Sequence, residues 1–154
     1  MNNIQKMKPV RTLHDCEDLF ERHLCQEVQD QGFSTVHQPG WCYTVGLWKS
    51  WQHPELIVFG LPAQRGQVLL QMAARRVAAG QKLEGVLPDL AEEYALEVQA
   101  VDPLHYRDYL PYARWFYRGP HFEAAQLLWP DPDHRPPSDP RFQPHLHELQ
   151  PQLQ

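Results

Sequence analysis

His53 and Glu55 stand two residues apart across Pro54, at the entry of the apolar run Glu55 to Phe59. Histidine titrates near neutral pH, so at such a loop it can move a proton or, once charged, hold an anion. The pair is therefore the first candidate for acid–base chemistry. The competing reading has His53 closing a turn against backbone and Glu55 lying in solvent. Cys42 offers a second reactive group, since a thiolate beside a histidine is a nucleophile. It falls between Trp41 and Tyr43 in an alternating run, however, and there cysteine reads better as a small core residue.

Rings are the next signal. Trp41, Tyr43, Trp48, Trp51, Trp115, Tyr117 and Trp129 supply flat walls for a ligand, and Trp48 and Trp51 sit among the polar Lys49, Ser50 and Gln52. Arg114 and Arg118 flank the segment Trp115 to Tyr117, placed either to clamp a carboxylate or phosphate or to pair with surface acids. Gln126 and Asp131 bracket Trp129. The expected ligand-binding set is Trp48, Trp51, His53, Glu55, Arg114, Tyr117, Gln126, Trp129 and Asp131. It requires the middle of the chain and the segment Gln126 to Trp129 to fold around one shared hollow.

Other chemistries find no motif. There is no G-x-x-x-x-G-K, G-x-G-x-x-G or G-x-S-x-G, which disfavours nucleotide-dependent phosphoryl transfer and the usual serine hydrolase. His121, Asp131 and His134, and the pair His145 and His147, lack the spacing of a zinc helix or finger, so no metal site is expected. Cys16, Cys25 and Cys42 are an odd number with no C-x-x-C pair, which indicates no disulfide framework. If Cys16 and Cys25 share a helix, nine residues turn them about 180° apart, and no bridge can form.

The elements that must position these groups follow from periodicity. Leu13, Cys16, Phe20, Leu24 and Val28 recur at spacings of three and four, predicting an amphipathic helix from Leu13 to about Gln31 that stops at Gly32. Strands are expected over Phe33 to His37 and Trp41 to Leu47, joined by a turn at Pro39-Gly40. Glu55 to Phe59 reads as a strand buried on both faces. A helix follows Pro62 with Leu69, Ala73 and Val77 on one face, Leu70 and Met72 flanking it, and Gly80 at its end. Glu84 to Leu90 reads as loop and Tyr94 to Ala100 as a half-buried strand. Asp102-Pro103 opens a helix, Pro111 breaks and restarts it through Tyr117, and a last strand covers Ala125 to Trp129. Seven of the fifteen prolines fall from Pro130 onward. The fold class expected is α+β, a mainly antiparallel sheet packed by two to four helices with a proline-rich C-terminal wrap. Residues 1–12 read as a loose arm, 13–142 as a single globular domain and 143–154 as a mobile tail.

Size and charge bound the function. A chain of 154 residues that is 42% hydrophobic can bury a substantial core. Its formal net charge of −5 argues against a dominant nucleic-acid surface, because duplex binding draws on clustered Lys and Arg. No run approaches a membrane span, and the N-terminus lacks the apolar centre of an export signal, so the cytoplasm is the expected compartment.

Two blocks also carry a resemblance. Tyr43-Thr44-Val45-Gly46-Leu47, His53-Pro54-Glu55-Leu56 and Phe59-Gly60-Leu61-Pro62 form the first; Phe116-Tyr117 with Gln126-Leu127-Leu128-Trp129-Pro130-Asp131 forms the second. From about Leu19 to Phe142 the chain resembles the bacterial family catalogued as domain of unknown function 4262. The resemblance implies a small soluble domain and assigns no catalytic residue or cofactor. It departs from the family's closing segment at Ser138, where an aromatic is expected.

Three functions fit these observations. The first is a module binding a small molecule or peptide in an aromatic cleft. The second is an enzyme using His53 and Glu55, or holding a flavin-like ring; the turn Thr44-Val45-Gly46 resembles one in flavin-binding split barrels. The third is a protein-interaction domain, such as one neutralising a basic toxin, which an acidic surface suits. Binding is preferred, with no nucleic-acid or membrane partner.

Overall fold

A computed structural model describes residues 9–154; of the expected N-terminal arm, residues 1–8 lie outside the described residues. The periodic stretch from Leu13 does not form one helix. Thr12 caps a single 3-10 turn over Leu13–Asp15, and Asp18 caps α1 (Leu19–Gln31) by accepting the Glu21 amide at 2.8 Å. Polar side chains that satisfy first-turn amides start helices, and a second cap so soon after the first divides the stretch in two.

Six strands follow: β1 (Ser34–Gln38), β2 (Trp41–Val45), β3 (Glu55–Phe59), β4 (Val86–Leu87), β5 (Leu96–Ala100) and β6 (Ala124–Leu128). They form one sheet in the order β1-β2-β3-β6-β5-β4, and β3 and β6 are its only parallel pair among the described residues. The helices are α1, α2 (Leu47–Trp51), α3 (Ala63–Ala78), α4 (Tyr106–Tyr109), α5 (Pro111–Tyr117) and α6 (Leu146–Leu149) among the described residues. The fold is α+β with a mostly antiparallel sheet. No helix among the described residues is long and apolar enough to cross a membrane.

Strand β3 lies between β2 and β6, and all five of its residues are buried. Alternation sends Ile57 and Phe59 to one face, where α1, α4 and α5 pack with Leu24, Val28, Tyr106, Leu110 and Phe116. Leu56 and Val58 face the other side, under α3 and the segment carrying Leu83, Leu87 and Leu90. Burying both faces of a central strand in this way accounts for its unbroken apolar run.

Other boundaries differ from the sequence expectation, β1 and β6 by one residue each, as Ser34–Gln38 for the expected Phe33 to His37 and Ala124–Leu128 for the expected Ala125 to Trp129. The strand expected to reach Leu47 stops at Val45, because Gly46 adopts φ +116° and turns the chain into α2. A side chain at Gly46 would meet the Gly32 carbonyl at 2.6 Å. Val86–Leu87, inside the expected loop, adds a short edge strand, and Tyr94 lies outside β5.

The C-terminal segment, expected to end mobile, returns to the sheet. Gln150 and Leu153 are 1% and 2% exposed. The Gln150 carboxamide accepts the Trp129 amide at 2.8 Å and donates to the Trp129 carbonyl at 3.0 Å. Gln126 does the reverse, donating to the Pro151 carbonyl at 2.7 Å and accepting the Leu153 amide at 3.0 Å. Each glutamine supplies the donor and acceptor that a neighbouring strand would have supplied.

Helix α3 sits close on the sheet because Gly66 faces it. A Cβ there would lie 2.7 Å from the Cys42 sulfur. Gly66→Ala should therefore lower stability by about 1–3 kcal/mol through overpacking, against the gain alanine normally brings to a helix. Urea denaturation of the two proteins measures the sign.

Candidate functional site

Glu55 opens β3 and is fully buried, so its carboxylate must find every partner within the chain. Thr44, in β2, donates its hydroxyl at 2.8 Å and accepts the Leu56 amide at 2.9 Å. The amides of Gly46, Leu47 and Trp48, at the start of α2, donate at 2.9, 3.2 and 3.2 Å. The Tyr117 hydroxyl, at the end of α5, donates to the same carboxylate and accepts the Lys49 amide at 3.1 Å. The carboxylate is thus ringed by donors, two of them hydroxyls whose protons are fixed by what they accept.

Burial pushes the Glu55 carboxyl up to about 6, while the bonds from Tyr117, Thr44, Trp48 and Gly46 pull it back. Burial and the adjacent carboxylate push the Tyr117 phenol well above its ordinary range. Both groups are buried, and the pair fastens β2, β3, α2 and α5 together. The expectation of a solvated Glu55 is corrected by its place in the central strand.

His53 is also engaged on both sides. Its Nε2 accepts the Leu83 amide at 3.0 Å, which places the ring proton on Nδ1, and Nδ1 donates to the Pro54 carbonyl at 2.9 Å. Burial holds its pKa below the ordinary value, so the imidazole is neutral near pH 7. The geometry is that of a histidine closing a turn, the competing reading of the sequence.

The remaining expected residues do not share a hollow. Trp48 packs on the face covered by α5, and Trp51 on the face covered by α3, where its ring lies over Gly32. Trp129 lies beyond the far end of β3 from Glu55, and its indole nitrogen donates to the Phe59 carbonyl at 2.6 Å. Gln126 holds the tail as described. Asp131 closes a turn by accepting the amides of Asp133 and Arg135 at 3.0 and 2.9 Å and the Arg135 guanidinium at 3.1 Å. Arg114 is half-buried and makes no ion pair among the described residues. Of the nine, Glu55 and Tyr117 meet each other, and Trp51 and His53 line one small hollow of about 280 Å³ with Pro54, Val77, Gly80 and Lys82.

A different hollow lies on the outer side of α3. It holds about 270 Å³ between Leu61, Arg65, Val68, Leu69 and Met72 on one wall and the segment Leu90 to Tyr94 on the other. Val68 and Met72, one helical turn apart, are 49% and 37% exposed. Arg65 makes no ion pair among the described residues, and the half-buried Tyr94 brings a phenol to the same groove. The sequence carried one sign of this site: apolar Val68 and Met72 stand outside the stripe that α3 needs for its core.

A family model, Domain of unknown function (DUF4262), matches residues 21–143. The chain belongs to this family. No curated protein and no solved structure matches. The matched stretch of this DUF4262 domain contains the whole Glu55 ring and the α3 groove, whereas Gln150 and Leu153, which anchor the tail, lie beyond it.

The Glu55 ring makes a pH-dependent prediction. The folded carboxyl titrates near 6 against an ordinary 4.5, so between those values the folded chain holds a proton that the unfolded chain does not. Stability from this group therefore rises as pH falls through about 6, by about 2 kcal/mol once complete. Tyr117→Phe removes a donor to the ionised form. It should raise the Glu55 titration midpoint in carbon NMR, and lower stability by about 2 kcal/mol near pH 7 but by less near pH 5.

Proposed function

We propose that this DUF4262 domain is a binding module, and that the groove between α3 and the segment Leu90 to Tyr94 takes a small ligand or the end of a peptide. The observation that carries this reading is the exposed pair Val68 and Met72, opening onto a concave apolar floor of Leu61, Leu69 and Leu90. Scattered apolar side chains on a surface need no explanation, but a lined concavity with a few polar groups at its edge is the usual form of a ligand site. Arg65 and the Tyr94 hydroxyl supply those groups, which suits a ligand with an apolar body and one anionic end. Glu92 and Glu93, on the facing wall, disfavour a second negative charge.

Acid–base catalysis draws less support. Glu55 is out of reach of solvent, and both nitrogens of His53 are occupied by backbone. The rings expected to form an aromatic cleft are divided between two faces of the sheet.

Anilinonaphthalene sulfonate, an apolar dye with one anionic group, tests the groove. The folded protein should enhance its fluorescence saturably. Met72→Glu should abolish that signal, and Arg65→Glu should weaken the affinity about tenfold, with the fold intact by circular dichroism. Unchanged dye binding in Met72→Glu would remove the groove from consideration.

A further inference from the structure

The division of the first helix has a chemical result. Cys16 precedes α1 instead of sharing it with Cys25, so the two cysteines are not held on opposite faces of one helix as the sequence expectation had them. The segment from Pro9 to Cys16 runs beside α1, and adjacent carbonyls of that segment receive the two thiols. Cys16 Sγ donates to the Thr12 carbonyl at 3.5 Å, and Cys25 Sγ to the Arg11 carbonyl at 4.0 Å. Cys25 lies in the apolar cluster against which Cys16 packs, and Cys16 is near enough to help push the Cys25 thiol up. Cys16 is half-buried and reachable; Cys25 is 5% exposed behind it.

We propose that Cys16 and Cys25 form a reversible intramolecular disulfide on exposure to hydrogen peroxide, fastening the segment Pro9–Cys16 to α1. The Cys16 thiolate attacks peroxide; an S–O bond forms, the O–O bond breaks, and hydroxide leaves as water with the Cys16 proton. The sulfur of Cys25 then attacks the sulfenic sulfur of Cys16. The S–S bond forms, the S–O bond breaks, and the second hydroxide leaves as water with the Cys25 proton. Two thiols give up two electrons in all, and one peroxide is reduced to two waters.

The roles follow from exposure. Burial beside Cys16 pushes the Cys25 thiol up to about 12, which suits a resolving sulfur that acts only once its neighbour is oxidised. Cys42 is a control within the same chain. It lies under α3 against Gly66, with burial alone pushing its thiol to about 12 and no second cysteine beside it.

The bridge would act on the core through α5. The Arg11 amide donates to the Phe116 carbonyl and its Nε to the Trp115 carbonyl, both at 2.9 Å, with the guanidinium over the Trp115 ring. Arg118 reaches back to Asp15 at 3.2 Å and to the Pro9 carbonyl at 3.0 Å. Oxidation therefore ties α1 to the helix whose last residue, Tyr117, holds Glu55.

The full chain is treated with hydrogen peroxide, alkylated, digested without reductant and mapped by mass spectrometry. The expected product is one peptide linking Cys16 to Cys25, two hydrogens lighter than the thiols, in monomeric protein at a rate independent of protein concentration. Dithiothreitol should reverse it. Oxidation should raise Tm by about 3 °C, and Cys16→Ser, at a half-exposed position, should abolish that rise. Sulfinic acid at Cys16 with Cys25 still free, a Cys16-linked dimer, or both thiols fully alkylated after a dose that oxidises glutathione would each overturn the proposal.

Discussion

A carboxylate removed from water must be met by donors, or the strand that carries it cannot stay in the middle of a sheet. Much of this fold is arranged around that requirement at Glu55. The chain leaves β2 through the left-handed Gly46 so that its amide and those of Leu47 and Trp48 converge on the carboxylate. Thr44 turns its hydroxyl inward instead of offering a methyl group to the core, and α5 ends where Tyr117 can donate. The same ring specifies register. A one-residue slip of β3 would turn Glu55 toward the apolar face under α3, away from the α2 amides and Tyr117.

Polar residues used in this way inside the protein shift the search for function to its outside. His53, Glu55, Gln126 and Trp129 are among the chain's most suggestive polar and aromatic groups, and each is engaged in holding one segment to another, while Asp131 closes its own turn. They join the loop before Leu83, helix α2, the tail and the turn after β6 to the sheet. The α3 groove differs because Val68 and Met72 on its lining are exposed and Arg65 makes no ion pair among the described residues.

The fold was legible where periodicity and punctuation agree. The apolar run of β3, the stripe of α3 and the restart at Pro111 are local signals, and the structure follows them. The break before α1 was legible too, in the caps Thr12 and Asp18, but helical spacing across Leu13 to Val28 masks it. The site was less accessible for a physical reason. A histidine next to a carboxylate looks the same in sequence whether it faces water or backbone, and what decides is a Leu83 amide 30 residues away. Likewise Tyr117 and Glu55 stand 62 residues apart, and no local pattern announces their contact.

The place of β6 has a consequence for how the chain is made. Of the six strands it leaves the ribosome last, yet it lies between β3 and β5. Until it arrives, the nascent β1–β3 meander carries a bare edge along its most apolar strand, while α3, β4, β5, α4 and α5 are still being translated. Completing the sheet requires β6 to insert between β3 and β5, and an unpaired strand edge of that kind invites association while it waits.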